Sequence, residues 1–274
     1  MSLILMYITN KPITARIAEN SGVDWIFIDL EIIGKEDRQG HLDTVISRHS
    51  LEDVRNVKNV LTKSRLLVRI NPINSASDLE IDKAIENGAD ILMLPYFKTV
   101  QEVRTFISVV NRRVQTCLLL ETPEAVNILD DILEVEGIDN IHIGLNDLHL
   151  GYKLNFMFEL LSNGVVDKII NKISRTNIQY GFGGVANLGG GAIPAEIIID
   201  EHYRLNSSMV ILSRSFIKPE HYSDIENLEI AFKREVNRLR HYENKVKDCD
   251  SNYFKSKHDL LKFKVNSLLN TYKG

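Results

Sequence analysis

Eight short apolar runs, each followed by a stretch with helical patterning, constrain this chain more than any other feature. The runs are LILMYI (3–8), WIFIDLE (25–31), RLLVRI (65–70), ADILMLP (89–95), VQTCLLLE (114–121), NIHIG (140–144), IQYGFGGVA (178–186) and SSMVILS (207–213). Near-continuous apolar runs that alternate with helices mark strands of a parallel sheet covered on both faces. Eight such units in about 240 residues is the size of a (β/α)8 TIM barrel. An open doubly wound sheet is the competing fold, but no GxGxxG follows the first run. The spacing predicts helices at 12–20, 51–61, 99–110, 122–133, 152–176 and from Pro194, with Ser50 as an N-cap. We expect a barrel over residues 1–240 and a C-terminal helical extension over 241–274. Leu261, Val265 and Leu268 fall at i, i+4, i+7, one face of an extra helix that packs on the barrel or on a neighbouring subunit.

Composition narrows the partners. The chain of 274 residues has a net charge of −4 and is 44% hydrophobic, an ordinary globular make-up. No basic stripe marks a nucleic-acid partner, and no run approaches the length of a membrane span. Two cysteines, Cys117 and Cys249, form no disulfide framework, which points to a cytoplasmic setting.

In such a barrel the chemistry sits where the strands end. The fifth run ends at Glu121 and the sixth leads to Asn146 and Asp147. A βαβ unit sets both acids at one mouth, side by side, as oxygen ligands for a hard divalent cation. The alternative is two helix-capping acids. The second run ends Asp29-Leu30-Glu31, with both acids on one face, and the third ends with Arg69 followed by Asn71-Pro72. The eighth leads to Ser213-Arg214. A cation ringed by acids, with a guanidinium beside it, suits a 2-keto acid and its enolate. His41 or His49 in the loop after the second run is a candidate base, and His41 is preferred. Lys35 and Arg38 in that loop are candidates for a second anionic group of the substrate. The Gly-rich stretch ANLGGGAIP (186–194) is a candidate anion cradle, with Arg214 aimed at the same region. His142, between Ile141 and Ile143, reads as a satisfied core histidine.

DLE at the second run, VRIN at the third, GADILMLPYFKTVQEV around the fourth, and LLETPEAVNILDDILEVEGIDNIHIGLNDL across the fifth and sixth resemble the HpcH/HpaI aldolase and citrate lyase β-subunit family. The resemblance spans roughly residues 5–215 and implies a phosphoenolpyruvate/pyruvate-type barrel. It implies that Glu121 and Asp147 bind Mg2+, or else Mn2+ or Co2+. Arg69 then binds the pyruvate unit and its enolate, and Asp29 and Glu31 orient metal waters or the base. Asn146 and Arg214 join Arg69 as substrate-binding candidates, with His41 as the base. The sequence departs from the pattern where the keto-acid aldolases carry His, Gln and Pro; here Ile32, Leu119 and Leu145 stand. The expectation is a metal-dependent carbon–carbon lyase of aldolase type acting on a 2-keto acid. A citrate-lyase-like acyl-CoA lyase and a non-catalytic ligand-binding barrel are the alternatives. Its partner is a small keto acid or acyl-CoA, and the resemblance implies a homo-oligomer, trimer or hexamer.

Overall fold

The computed structural model describes residues 2–34 and 49–271. Eight strands, β1 (Ile4–Ile8), β2 (Trp25–Asp29), β3 (Arg65–Arg69), β4 (Ile91–Leu94), β5 (Gln115–Leu120), β6 (Asn140–Ile143), β7 (Gln179–Val185) and β8 (Met209–Leu212), close a parallel barrel in sequence order. β8 pairs back to β1, Leu5 opposite Val210, so the sheet has no edge. Each expected run carries one strand. The strands stop short of the run ends at Glu31, Glu121 and Ser213.

The helices are α1 (Pro12–Asn20), α2 (Leu51–Lys58), α3 (Ser77–Glu86), α4 (Val100–Val110), α5 (Pro123–Asn127), α6 (Leu129–Leu133), α7 (Leu145–Gly151), α8 (Glu159–Ser162), α9 (Val165–Ile173), α10 (Ala195–Arg204), α11 (Ile225–Val246) and α12 (Ser251–Thr271). Ser50 caps α2 and Thr99 caps α4, each in a reciprocal box with Asp53 or Glu102. The helix expected at 122–133 is two short helices, because Ile128 leaves helical backbone (φ −106, ψ 19). The one expected at 152–176 is also divided: Gly164 takes φ +78, which a helix cannot continue through.

Strand alternation sorts the core into two layers. Met6, Phe27, Leu67, Met93, Cys117 and Leu119 fill the barrel interior, and a larger cluster packs the strands against the helices. Complete burial of each large side chain contributes about 1.5–3 kcal/mol. α11 packs on α1 and closes the ring of helices. Residue 240, the expected boundary, lies inside α11; the separate final helix is α12, which packs on α10 and α8 through buried Leu261 and Val265. Among the described residues no helix is long and apolar enough to cross a membrane.

The N-terminal end of the barrel is laced by a repeated clasp. Asp24, Asp90 and Asp139 each stand just before an even-numbered strand. Each accepts the amide N–H of the second residue of the preceding strand: Leu5 at 2.8 Å, Leu66 at 2.7 Å and Thr116 at 2.8 Å. Before β8 the same position is Ser208, which instead donates from Oγ to the Tyr180 carbonyl at 3.0 Å.

Candidate active site

At the C-terminal mouth, β2 and β3 deliver Asp29 and Arg69 at paired positions of the ladder. Arg69 donates from Nε and Nη2 to the two Asp29 oxygens, both at 2.8 Å, with Nη1 3.4 Å from Glu31 Oε2. This fork-to-carboxylate grip fixes the guanidinium plane, which lies 5.6 Å above the Phe27 ring centre. Burial disfavours the charge, but the Asp29 and Glu31 carboxylates, with a contribution from Glu121, outweigh it and raise the Arg69 pKa. Asp29 and Glu31 are 2% and 1% exposed and meet the cavity through Arg69. Asn71, next to the Arg69 strand end, accepts N–H bonds from Ile32 and Ile33, both at 2.9 Å. It therefore anchors the chain as it leaves β2, a role that the Asn-Pro dipeptide alone does not reveal.

Glu121 and Asp147, 4% and 7% exposed, come from the end of β5 and the first turn of α7. Glu121 Oε1 accepts the Tyr96 N–H at 3.0 Å. Tyr96 reaches it by taking φ +49, a left-handed backbone that a bulky residue rarely adopts. On the other side, a Cβ at Gly144 would lie 2.8 Å from Glu121 Oε2, so only glycine lets the end of β6 approach this carboxylate. Among the described residues no group of three or more His, Cys, Asp or Glu forms a closed metal cage. Two buried carboxylates on one cavity nevertheless fit a hard ion such as Mg2+, which binds through one or two carboxylates and completes its shell with water and substrate.

One cavity of about 790 Å³ joins these groups: Arg69, His49, Glu121, Asn146, Asp147 and Arg214 all line it. Arg214 lies on a single 3-10 turn after β8. Burial lowers its pKa, and the Asp29 charge works in the opposite direction. Arg214 lines the barrel cavity and not the cleft beside the Gly-rich loop. That loop borders a separate cleft of about 380 Å³ with Lys218, Arg234 and Arg238, where Glu235 already pairs both arginines at 2.8 and 2.9 Å. His41, Lys35 and Arg38 lie outside the described residues. His49 is described: its Nδ1 accepts the Asp29 N–H at 3.0 Å, so the neutral ring carries its proton on Nε2.

His142 lies inside the barrel, 1% exposed, on the cavity floor. Its Nε2–H bonds the Gly183 carbonyl at 3.0 Å, and burial pushes its pKa down to about 4. Its Nδ1 has no hydrogen-bond partner among the described residues. The expected satisfied core histidine is thus only half satisfied.

A closed parallel barrel with paired carboxylates and a clamped arginine at its C-terminal mouth gathers its polar groups where barrel enzymes build their sites. The family model for HpcH/HpaI aldolase/citrate lyase matches residues 3–159, and the chain belongs to that family. It is 26% identical over 204 residues to a 2-keto-3-deoxy-L-rhamnonate aldolase of Escherichia coli K12, covering 63% of this chain and 70% of that one. It is 30% identical over 186 residues to a hydroxypyruvate/pyruvate aldolase of Agrobacterium fabrum, covering 60% and 67%. Among solved structures, an HpcH/HpaI aldolase from Desulfitobacterium hafniense superposes with a TM-score of 0.62 at 14% identity, over 91% of this chain and 95% of the other. The citrate synthase SbnG gives 0.60 at 16%, over 86% and 95%. At these identities the structural matches speak for the fold.

Proposed function

We propose that the protein is a divalent-metal-dependent aldolase that cleaves or forms a carbon–carbon bond next to the ketone of a 2-keto acid. The observation that carries this reading is the meeting of Glu121, Asp147 and Arg69 on one cavity at the barrel mouth. The aldolase names of the relatives at 26% and 30% identity point the same way. Glu121 and Asp147 would hold the cation, Mg2+ in the first instance. When bound, that ion supplies Lewis-acid polarisation of the substrate ketone.

The chain's own residues do the rest. Arg69, with Nε and one Nη2 proton engaged by Asp29, keeps N–H donors on its outer edge for the substrate carboxylate or the developing enolate oxygen. In cleavage the 4-hydroxyl loses its proton and the C3–C4 bond breaks. The aldehyde leaves, and the enolate takes a proton at C3 to give the keto acid. Asp29 and Glu31 keep Arg69 charged and oriented. His49, with Nδ1 committed to the Asp29 amide, lines the cavity beside Arg69. Asn146 and Arg214 line the remaining cavity wall and would contact the aldehyde half.

The test is proton–deuterium exchange at the pyruvate methyl group, followed by NMR with Mg2+, with EDTA, and with Glu121→Gln. Exchange should require the metal and fall at least about a hundredfold in Glu121→Gln. Exchange that persists in EDTA, or none with metal bound, would sink the reading.

A further inference from the structure

The Gly-rich loop plays no part at the mouth, yet with α11 it walls a cleft of its own. Three cations line that cleft, Lys218, Arg234 and Arg238, against one acid, Glu235. Glu235 is 4% exposed and divides its oxygens: Oε1 accepts Arg234 Nε–H at 2.8 Å and Oε2 accepts Arg238 Nη1–H at 2.9 Å. A buried carboxylate must be paired, and pairing it this way fixes two guanidiniums one turn apart on α11. Its single charge leaves the cleft two positive charges in excess. The pairing also uses only one Arg234 donor, so both Arg234 Nη groups are without a bond among the described residues. The Lys218 ammonium has no partner among them either. Arg238 Nη2 donates to the Leu188 carbonyl at 3.3 Å and so ties the helix to the loop. The loop turns tightly at Gly190, whose N–H bonds the Asn187 carbonyl at 2.8 Å. A Cβ at Gly190 would collide with Asn187 Oδ1, so glycine is what leaves room for the Asn187 side chain in the cleft wall. Glu196, on the helix that follows, accepts the Gly189 N–H at 3.1 Å and does not line the cleft.

We propose that this cleft is a phosphate-binding site separate from the mouth, which takes either the free ion or the phosphate of a small monoester. A guanidinium edge held in place by a buried acid, with an ammonium and a side-chain amide on the same cleft, suits a compact oxyanion of two charges. The volume of about 380 Å³ lies at the lower end of the range for ligand pockets, so the occupant is small. Lys218 stands between Ile217 and Pro219, which line the mouth cavity. A phosphate held by Lys218 therefore touches the segment that walls the mouth.

The test is calorimetric titration of the full-length protein in EDTA with inorganic phosphate and, separately, with glycerol 3-phosphate. Wild type is compared with Lys218→Gln, Arg234→Gln and, to probe the mouth, Arg214→Gln. The better ligand should bind with a Kd of about 0.1–1 mM. Lys218→Gln and Arg234→Gln should each weaken it about tenfold, and Arg214→Gln should leave it within about twofold of wild type. Whichever ligand binds more tightly names the source, the free ion or an ester. A second readout needs no variant: the 15N–1H amide signals of Gly189 and Gly190 should move as phosphate is added. Binding that only Arg214→Gln weakens puts the ion in the mouth and overturns the proposal. So does a failure of both ligands to saturate by about 10 mM, or bound phosphate that leaves both glycine signals unmoved.

Discussion

Carboxylates crowd both ends of this barrel, and the two ends use them differently. At the N-terminal end Asp24, Asp90 and Asp139 are each committed to a backbone N–H of the neighbouring strand. Glu19 beside them accepts three successive amides, from Thr62, Lys63 and Ser64, at 2.8, 2.6 and 2.7 Å. At the C-terminal end Asp29 and Glu31 meet a guanidinium, and Glu121 and Asp147 face a cavity. The first set ties strand to strand; the second lines or backs the mouth cavity. Residue type is the same in both, and the difference lies in the partner: a strand amide at one end, the Arg69 guanidinium and the Tyr96 amide at the other.

Three measurements would break or sharpen that contrast. The largest effect belongs to Arg69→Met, which leaves Asp29 and Glu31 buried without their guanidinium. We expect a loss of about 3–5 kcal/mol in urea unfolding, together with loss of keto-acid exchange. A variant as stable as wild type would mean that the mouth acids do not depend on Arg69. Next comes Asp90→Ala, which removes the acceptor for Leu66 N–H and for Lys58 Nζ. Stability should fall by about 2 kcal/mol while exchange per folded molecule stays within about twofold of wild type. A large loss of exchange would show the two ends to be coupled. The smallest effect is a pH slope. Burial alone would raise the Glu19 pKa, but the amides of loop 62–64 and the Thr62 hydroxyl hold it below the ordinary value of 4.5. A group depressed on folding adds stability that is present above its unfolded pKa and is lost as pH falls through the folded one. Stability should therefore decline from about pH 5 downward, and Glu19→Gln should flatten that part of the curve.

The sequence made the strands legible because parallel strands are buried on both faces and read as unbroken apolar runs. Strand order follows from the same alternation, and the four acids and Arg69 at the mouth follow from counting to each run's end. Three features were not legible, and each depends on a distant partner. The commitment of Asp29 to the Arg69 fork joins residues 40 apart. Tyr96, in its left-handed backbone, bonds a carboxylate 25 residues later. Whether His142 is satisfied depends on a β7 carbonyl 41 residues on. Alternation left two faces open to His142, the barrel interior or a helix, and could not say which of its nitrogens would find a bond.

The clasp at the N-terminal end makes the barrel countable in twos. Three strand pairs, β1–β2, β3–β4 and β5–β6, are each riveted by an aspartate that receives a bond from its partner strand. The fourth, β7–β8, has Ser208 there, and the same pair carries the register shift between Gly181 and Gly184. Like a cask with three pairs of staves pinned one way and the fourth another, the wall changes its fastening at β7, the strand whose Gly183 carbonyl accepts the His142 bond.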